Sequence, residues 1–277
     1  MQNSDSDARY VREWREWRAG WEQFLAQPHG WLAVASLNWV EDVPQQYPGH
    51  PGVWWQEGDK LYVDPQGQTM SSNGESFTDV RAFDLTAAAD DTRIVAGDLE
   101  IGITYRDQYL LVTYDPLAAA RTEFRGVPTY APDPRWVLKG RLEAHATQKS
   151  VSFDTVGAEK RTYSSPGTIR FGYAGGEHTL TPTIERDAIV IVFTDATSGV
   201  TTYGACRSLS VPTPDEDGTV VLDFNRALNL PCAFSDMPVC PVAPLENRLP
   251  FAVEAGEKLP YRKTAAGHGV RRGRSHE

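Results

Sequence analysis

From Gly52 onward the chain repeats one short pattern, an apolar or alternating run closed by turn residues, and this repetition limits the folds open to it. "VWWQEGDKLYVD" reads as a hairpin turning at Gly58-Asp59, and "LEIGITYRDQYLLVTYD" as another turning near Arg106-Asp107. "GTIRFGYAGGEHTLTPTIE" turns at Gly175-Gly176 and puts Ile169, Phe171 and Tyr173 on one face. "WVLKGRLEAHA" alternates and then shifts phase, and "SVSFDTV" follows it. "AIVIVFTD" is continuously apolar, as a strand covered on both faces would be, and "TTYGACRSLSV" and "TVVLDF" complete the series. About ten strands at short spacing, without alternating helices, predict a mainly β fold: an antiparallel β-barrel-like or sandwich domain.

The N-terminus departs from this pattern. Tyr10, Trp14, Trp17, Trp21, Phe24 and Leu25 recur at three- and four-residue steps, with Arg12, Glu13, Arg15, Glu16, Arg18 and Glu22 between them. That spacing predicts an amphipathic helix over 6–27, capped by Ser6 or Asp7 and stopped by Pro28. Both charge signs on its polar face argue for packing on the protein body rather than on a membrane surface. Seven of the eight tryptophans precede residue 56, so this part is expected to supply aromatic mass as a lid or plug. Pro44 to Pro51 ("PQQYPGHP") is the expected joint between helical cap and sheet.

The remaining organisation is read as one domain. Residues 1–5 are expected to be disordered, 6–263 to form a single β-rich domain, and 264–277 to be a disordered basic tail. Net charge is −10 overall; without the tail, 24 basic residues face 36 acidic ones. This balance speaks against nucleic acid or an anionic membrane as a partner. No apolar run is long enough for a transmembrane helix, no secretory h-region opens the chain, and three cysteines are too few for a disulfide scaffold, so a cytoplasmic protein is expected.

No G-x-S-x-G elbow, P-loop or dinucleotide fingerprint is present, and the six histidines show no local metal-ligand spacing. No cofactor and no metal are expected. Cys232 and Cys240, eight residues apart in a Pro-rich loop, leave three readings open: buried free thiols, a local disulfide, or zinc shared with Cys206 and a histidine. A nucleophilic cysteine would need a positive neighbourhood such as Arg207 or Arg226.

Polar residues gather in two places. In "FTDATSGVTTYGACRSLS", Asp195 follows the buried run, and a strand restarting at Thr201 would put Tyr203 and Arg207 on one face. The stretch from Asp223 to Lys258 is a long ordered C-terminal loop, pinned by its own Leu, Phe, Pro and Cys residues and carrying Asp223, Asn225, Arg226, Glu246, Asn247, Arg248, Glu257 and Lys258. Strand alternation at its start puts Asp223 and Asn225 together, opposite Phe224.

These two stretches resemble DUF1684, a bacterial and archaeal family of unknown function. "HGWLAVASLNWV", "FRGVPTYAPDPRWVLKGRLEA" and "GTIRFGYAGGEHTLTP" resemble it as well, so the likeness spans roughly 10–260. Family members usually carry a second proline where this chain has Leu230, and often Gly at Cys206, which weakens the zinc reading. The resemblance implies one continuous domain and puts Asp195, Tyr203, Arg207, Asp223, Asn225, Arg226, Cys232, Cys240, Glu246, Asn247 and Arg248 on motif positions.

Three functional expectations follow. The first is a small-molecule pocket in the barrel with catalytic Asp195, Tyr203 and Glu246, where Arg207, Arg226 and Arg248 with Asp223, Asn225 and Asn247 bind an anionic ligand. The second is a non-enzymatic ligand-binding protein of similar shape. The third is a structural or interaction module whose polar motifs only brace the loop.

Overall fold

A computed structural model describes residues 2–85, 92–105, 108–154, 160–185, 188–234 and 241–260. The fold is mostly β, 45% strand and 17% helical, with antiparallel sheets, a half-barrel, an N-terminal helix and a Trp-rich aromatic cluster. No helix among the described residues is long and apolar enough to cross a membrane. The chain divides into two compact units: one built from the residues up to Glu22 together with the chain from Gly126 onward, the other chiefly from Gln23–Arg125.

Helix α1 spans Gln2–Leu25 and carries Asp5 in its first turn, where a negative charge suits the helix dipole. It begins before the expected Ser6 or Asp7 cap and takes in residues expected to be disordered. Trp14 and Leu25 are buried as the stripe predicts, whereas Phe24 is exposed. Arg18, placed by its charge on the polar face, is also buried. Its spacing explains this: four residues after Trp14 and three before Trp21, it belongs to the apolar stripe.

The Gln23–Arg125 unit holds β1 (Val34–Trp39), β2 (Val53–Glu57), β3 (Lys60–Asp64), β4 (Met70–Ser72), β5 (Glu75–Phe77), β6 (Arg81–Phe83), β7 (Thr92–Ala96), β8 (Leu99–Tyr105) and β9 (Tyr109–Tyr114). One sheet runs β1-β9-β8-β7-β4-β5 and another β2-β3-β6. The expected hairpins are β2–β3 and β8–β9; the turn at Arg106-Asp107 lies outside the described residues. Because β1 already pairs with β9, the sheet begins before Pro44. Alternation sends Trp54, Leu61, Val63, Ile101 and Ile103 into the core. Buried among them is a polar cluster: His50 Nδ1 bonds Thr113 Oγ1 at 2.7 Å and Nε2 bonds Asn38 Oδ1 at 3.1 Å.

The other unit holds β10 (Val137–Asp154), β11 (Lys160–Tyr173), β12 (Gly176–Leu180), β13 (Thr183–Glu185), β14 (Ala188–Phe193), β15 (Arg207–Val211), β16 (Thr219–Asp223) and β17 (Leu228–Asn229). Its sheet runs β16-β10-β11-β13-β14-β15-β17, with β12 also on β11. Val137–Asp154, from "WVLKGRLEAHA" into "SVSFDTV", forms one long strand, with a register break between Ala144 and Lys149. The apolar run of β14 has the expected two-sided burial: Ile191 and Phe193 enter the main core, while Val192 packs with Phe153, Cys206 and Ala243. The chain from Pro241 to Lys258 is irregular yet inserts Leu249, Val253, Ala255 and Glu257 into the interior.

Candidate functional site

Asp195 leaves β14 and folds the next residues around its own carboxylate. Its Oδ1 accepts Thr197 N–H at 2.8 Å, Thr197 Oγ1–H at 2.6 Å and Val253 N–H at 3.1 Å. Thr197 and Thr202 close this turn through their hydroxyls, 2.9 Å apart. The turn keeps the backbone irregular until Arg207, where β15 begins. The expected strand restart at Thr201 is therefore absent, and Tyr203 does not share a strand face with Arg207. Instead, the Tyr203 hydroxyl donates to the Cys232 carbonyl at 2.9 Å. Local side-chain bonding to the backbone has overridden β propensity here.

Arg207 is the hub of the interior. Its side chain has no exposed surface; Nη2 reaches Asp195 Oδ2 at 2.9 Å and the Val253 carbonyl at 3.0 Å. Nη1 donates to the Ala255 and Glu257 carbonyls, and the guanidinium lies 5.2 Å from the Phe193 ring centroid. Burial pulls its pKa down from the usual value, opposed by Asp195. A guanidinium committed to one carboxylate and three carbonyls braces the C-terminal segment.

A second buried ion pair continues the network. Glu257 accepts Arg18 Nη1–H at 2.5 Å and Trp21 Nε1–H at 3.1 Å on Oε1, and Asn229 N–H at 2.6 Å on Oε2. Burial pushes its carboxyl pKa up, and Arg18 and the two N–H donors pull it back. Arg18 also donates to the Val127 carbonyl at 3.2 Å. Gly256 makes this arrangement possible: at φ +75° it lies so near Ala227 that an added Cβ would stand 2.6 Å from the Ala227 carbonyl oxygen.

The Asp223 end of the loop is also a brace. β16 stops there, and Asp223 caps a 3₁₀ turn over Phe224–Arg226, so Phe224 enters the core while Asn225 folds back on Asp223. Asn225 Oδ1 accepts Asp133 N–H and its Nδ2 donates to the Asp133 carbonyl, both at 2.9 Å. Tyr10 Oη–H donates to Asp223 at 2.8 Å, and Trp14 Nε1–H to the Asn225 carbonyl at 2.9 Å. Arg226 pairs with Asp223 at 3.2 Å and lies over Trp17, its guanidinium 5.1 Å from the ring centroid. Asn247 is a clamp: its side chain exchanges bonds with Thr181 N–H and C=O and donates to the Val192 carbonyl.

Arg207 and Arg226 thus serve different carboxylates and do not converge on one ligand position. Glu246 is exposed on the 3₁₀ turn Leu245–Asn247. Cys206 and Cys232 are both buried; Cys206 Sγ–H donates to the Pro241 carbonyl, and burial pushes its pKa up, the setting of an inert thiol. Cys240 and the basic tail lie outside the described residues. Among the described residues no three His, Cys, Asp or Glu side chains converge as a metal site would require.

One open depression of about 360 Å³ touches the motif. Thr194, Asp195, Ser198, Gly204, Ala205, Val242, Ala243 and Arg248 line it. Arg248 is exposed and has no ion-pair partner among the described residues. The N–H groups of Gly204 and Ala205 donate to no acceptor among the described residues. Ser198 Oγ accepts Asp195 N–H at 3.1 Å and keeps its own proton to donate. Of the residues expected at a site, Asp195 and Arg248 meet here; Ser198, Gly204 and Ala205 were missed, for a glycine or alanine amide carries no compositional signal.

A family model described as "Protein of unknown function (DUF1684)" matches residues 122–258. The matched span takes in the C-terminal motif but not "HGWLAVASLNWV", so it is shorter than the 10–260 resemblance. A solution NMR structure of an uncharacterized protein from gene locus rrnAC0354 of Haloarcula marismortui is 32% identical; the match covers 50% of this chain and 78% of that one, with a TM-score of 0.43. No curated protein matches the chain.

Proposed function

Through residues 122–258 the chain belongs to the DUF1684 family, and from that premise we propose that this unit binds a small anionic molecule in the Asp195–Arg248 depression, the buried motif residues being its brace. The observation that carries the reading is Arg248, a cation unpaired among the described residues at the edge of a concavity. Residues lining the same space carry three further donors: Ser198 Oγ–H and the Gly204 and Ala205 N–H groups. Consecutive free amides beside a guanidinium are a recurrent way to hold an oxyanion. Asp195 does not spoil this site, because its charge is matched by Arg207 behind it.

Binding without turnover is the better reading. The acid–base candidates are not gathered in one place: Asp195 is saturated by donors, Tyr203 is committed to Cys232, and Glu246 is exposed on the 3₁₀ turn. The buried free thiol of Cys206 suits a reducing, cytoplasmic setting. Isothermal titration of the full chain with phosphate and with acetate tests the proposal. Saturable binding that falls at least tenfold in Arg248→Ala supports it; no binding of either anion, or binding indifferent to Arg248, overturns it.

A further inference from the structure

We propose that Asn73-Gly74 is a site of spontaneous covalent change, where the Gly74 backbone nitrogen closes on the Asn73 side chain and converts it to a mixture of aspartate and isoaspartate. The pair is the chain's one Asn-Gly sequence. It forms the two-residue turn between β4 and β5, with Ser72 paired to Glu75. Both turn residues have positive φ, +51° at Asn73 and +81° at Gly74. Asn and Gly reach that conformation at least cost, which is why they build such turns. The residues that suit the turn are also the pair best suited to react with each other.

The reaction needs a free carboxamide, a backbone amide able to lose its proton, and room for the ring to close. Among the described residues neither the Asn73 side chain nor the Gly74 N–H makes a hydrogen bond. Both residues are exposed, and beyond its two chain neighbours nothing lies within 4 Å of where a Cβ on Gly74 would stand. Once hydroxide has taken the amide proton, Gly74 N attacks Asn73 Cγ. The new N–Cγ bond closes a five-membered imide, the Cγ–Nδ2 bond breaks, and the amine takes up a proton and leaves as ammonia. Water then opens either imide C–N bond. One opening leaves aspartate at position 73; the other leaves isoaspartate, with the main chain running through the former side chain.

Other candidates are held. Asp217-Gly218 is the chain's one Asp-Gly sequence, but Asp217 Oδ1 accepts Thr219 N–H at 2.9 Å and Gly218 N–H donates to the Asp215 carbonyl at 2.8 Å. Asn225, Asn229 and Asn247 are buried. The β4–β5 hairpin, by contrast, ends its sheet with two strands of three residues each, so its tip opens without unpacking the unit. Isoaspartate adds a carbon to the main chain of the turn, and loop length sets the register of β5 on β4, so the product loosens this sheet edge.

The test incubates the full-length protein at pH 6 and pH 8.5, and at pH 8.5 in urea, and maps its peptides by fragmentation that separates isoaspartate from aspartate. In the folded protein the peptide holding residue 73 should gain the mass difference between a hydroxyl and an amino group. It should do so faster than peptides holding Asn225, Asn229 or Asn247, by roughly tenfold or more, because those wait for larger openings. The rate should rise with pH, and the product should contain both isomers. Conversion of Asn73 in urea but not in the folded protein would overturn the proposal, by showing that the turn protects the pair. Aspartate without isoaspartate would overturn the attack by Gly74, since direct hydrolysis yields aspartate alone. Equal conversion of a buried asparagine in the folded protein would remove the role given to the turn.

Discussion

Arg207 and Asp195 form an ion pair at 2.9 Å with neither side chain exposed. Arg207 donates to the carbonyls of Val253, Ala255 and Glu257 while Asp195 accepts Val253 N–H, so the C-terminal segment is fixed from within.

Breaking this pair from one side should be severe. Arg207→Ala leaves the Asp195 carboxylate buried without its cation and should cost about 3–5 kcal/mol. Replacing both members by apolar side chains of similar volume, Asp195→Leu with Arg207→Met, should recover part of that loss, although the three carbonyls still lose their donor. Urea denaturation of the two variants measures the difference; equal stability of the single and double variants would contradict the pairing.

The Arg18–Glu257 pair makes a parallel prediction. Arg18→Ala should destabilise by about 3 kcal/mol, because Glu257 retains only Trp21 and the Asn229 N–H. Arg18→Ala together with Glu257→Gln should be milder than Arg18→Ala alone. The midpoint of a tryptophan-fluorescence unfolding curve reads both.

His50 sets a pH dependence in the Gln23–Arg125 unit. Burial lowers its pKa from 6.5 to about 4. The unfolded chain therefore binds a proton in the window where the folded chain does not. Stability is full above about pH 6.5 and falls as pH drops toward 4, by about 3 kcal/mol in all. His50→Gln should flatten that part of the profile. Urea midpoints at pH 7 and pH 4.5 for both proteins give the comparison.

Gly256 is restricted by conformation and by space. Gly256→Ala puts a Cβ on a φ of +75°, 2.6 Å from the Ala227 carbonyl oxygen. The backbone conformation alone costs about 1–2 kcal/mol, and the clash adds to it. A fall in melting temperature of several degrees is expected, against a smaller fall for Gly58→Ala in open space, where only the conformational cost applies.

Much of the fold was legible because strand alternation and turn residues are local signals. The β2–β3 and β8–β9 hairpins and the two-sided burial of β14 follow from residues adjacent in sequence. The site was less legible because it depends on where charges find partners. Arg207 and Asp223 looked like ligand-binding groups, yet their bonds run to backbone and to helix α1. Arg18 was readable from helical spacing and was misplaced by its charge alone. Tyr203 was placed on a strand that the Asp195–Thr197 turn prevents. Glu257 stood in the right segment, but no period in an irregular loop indicates which carboxylate turns inward.

The Arg18–Glu257 contact joins residues 239 positions apart. Helix α1 leaves the ribosome long before its buried partner is made, 239 positions later. Until Glu257 emerges, Arg18, Trp14 and Tyr10 have only part of their final surroundings, while residues 23–125 can already pair their own strands. The unit that contains the site is therefore the later of the two to complete during synthesis, and chains released before position 257 would expose the aromatic stripe of α1 to other chains.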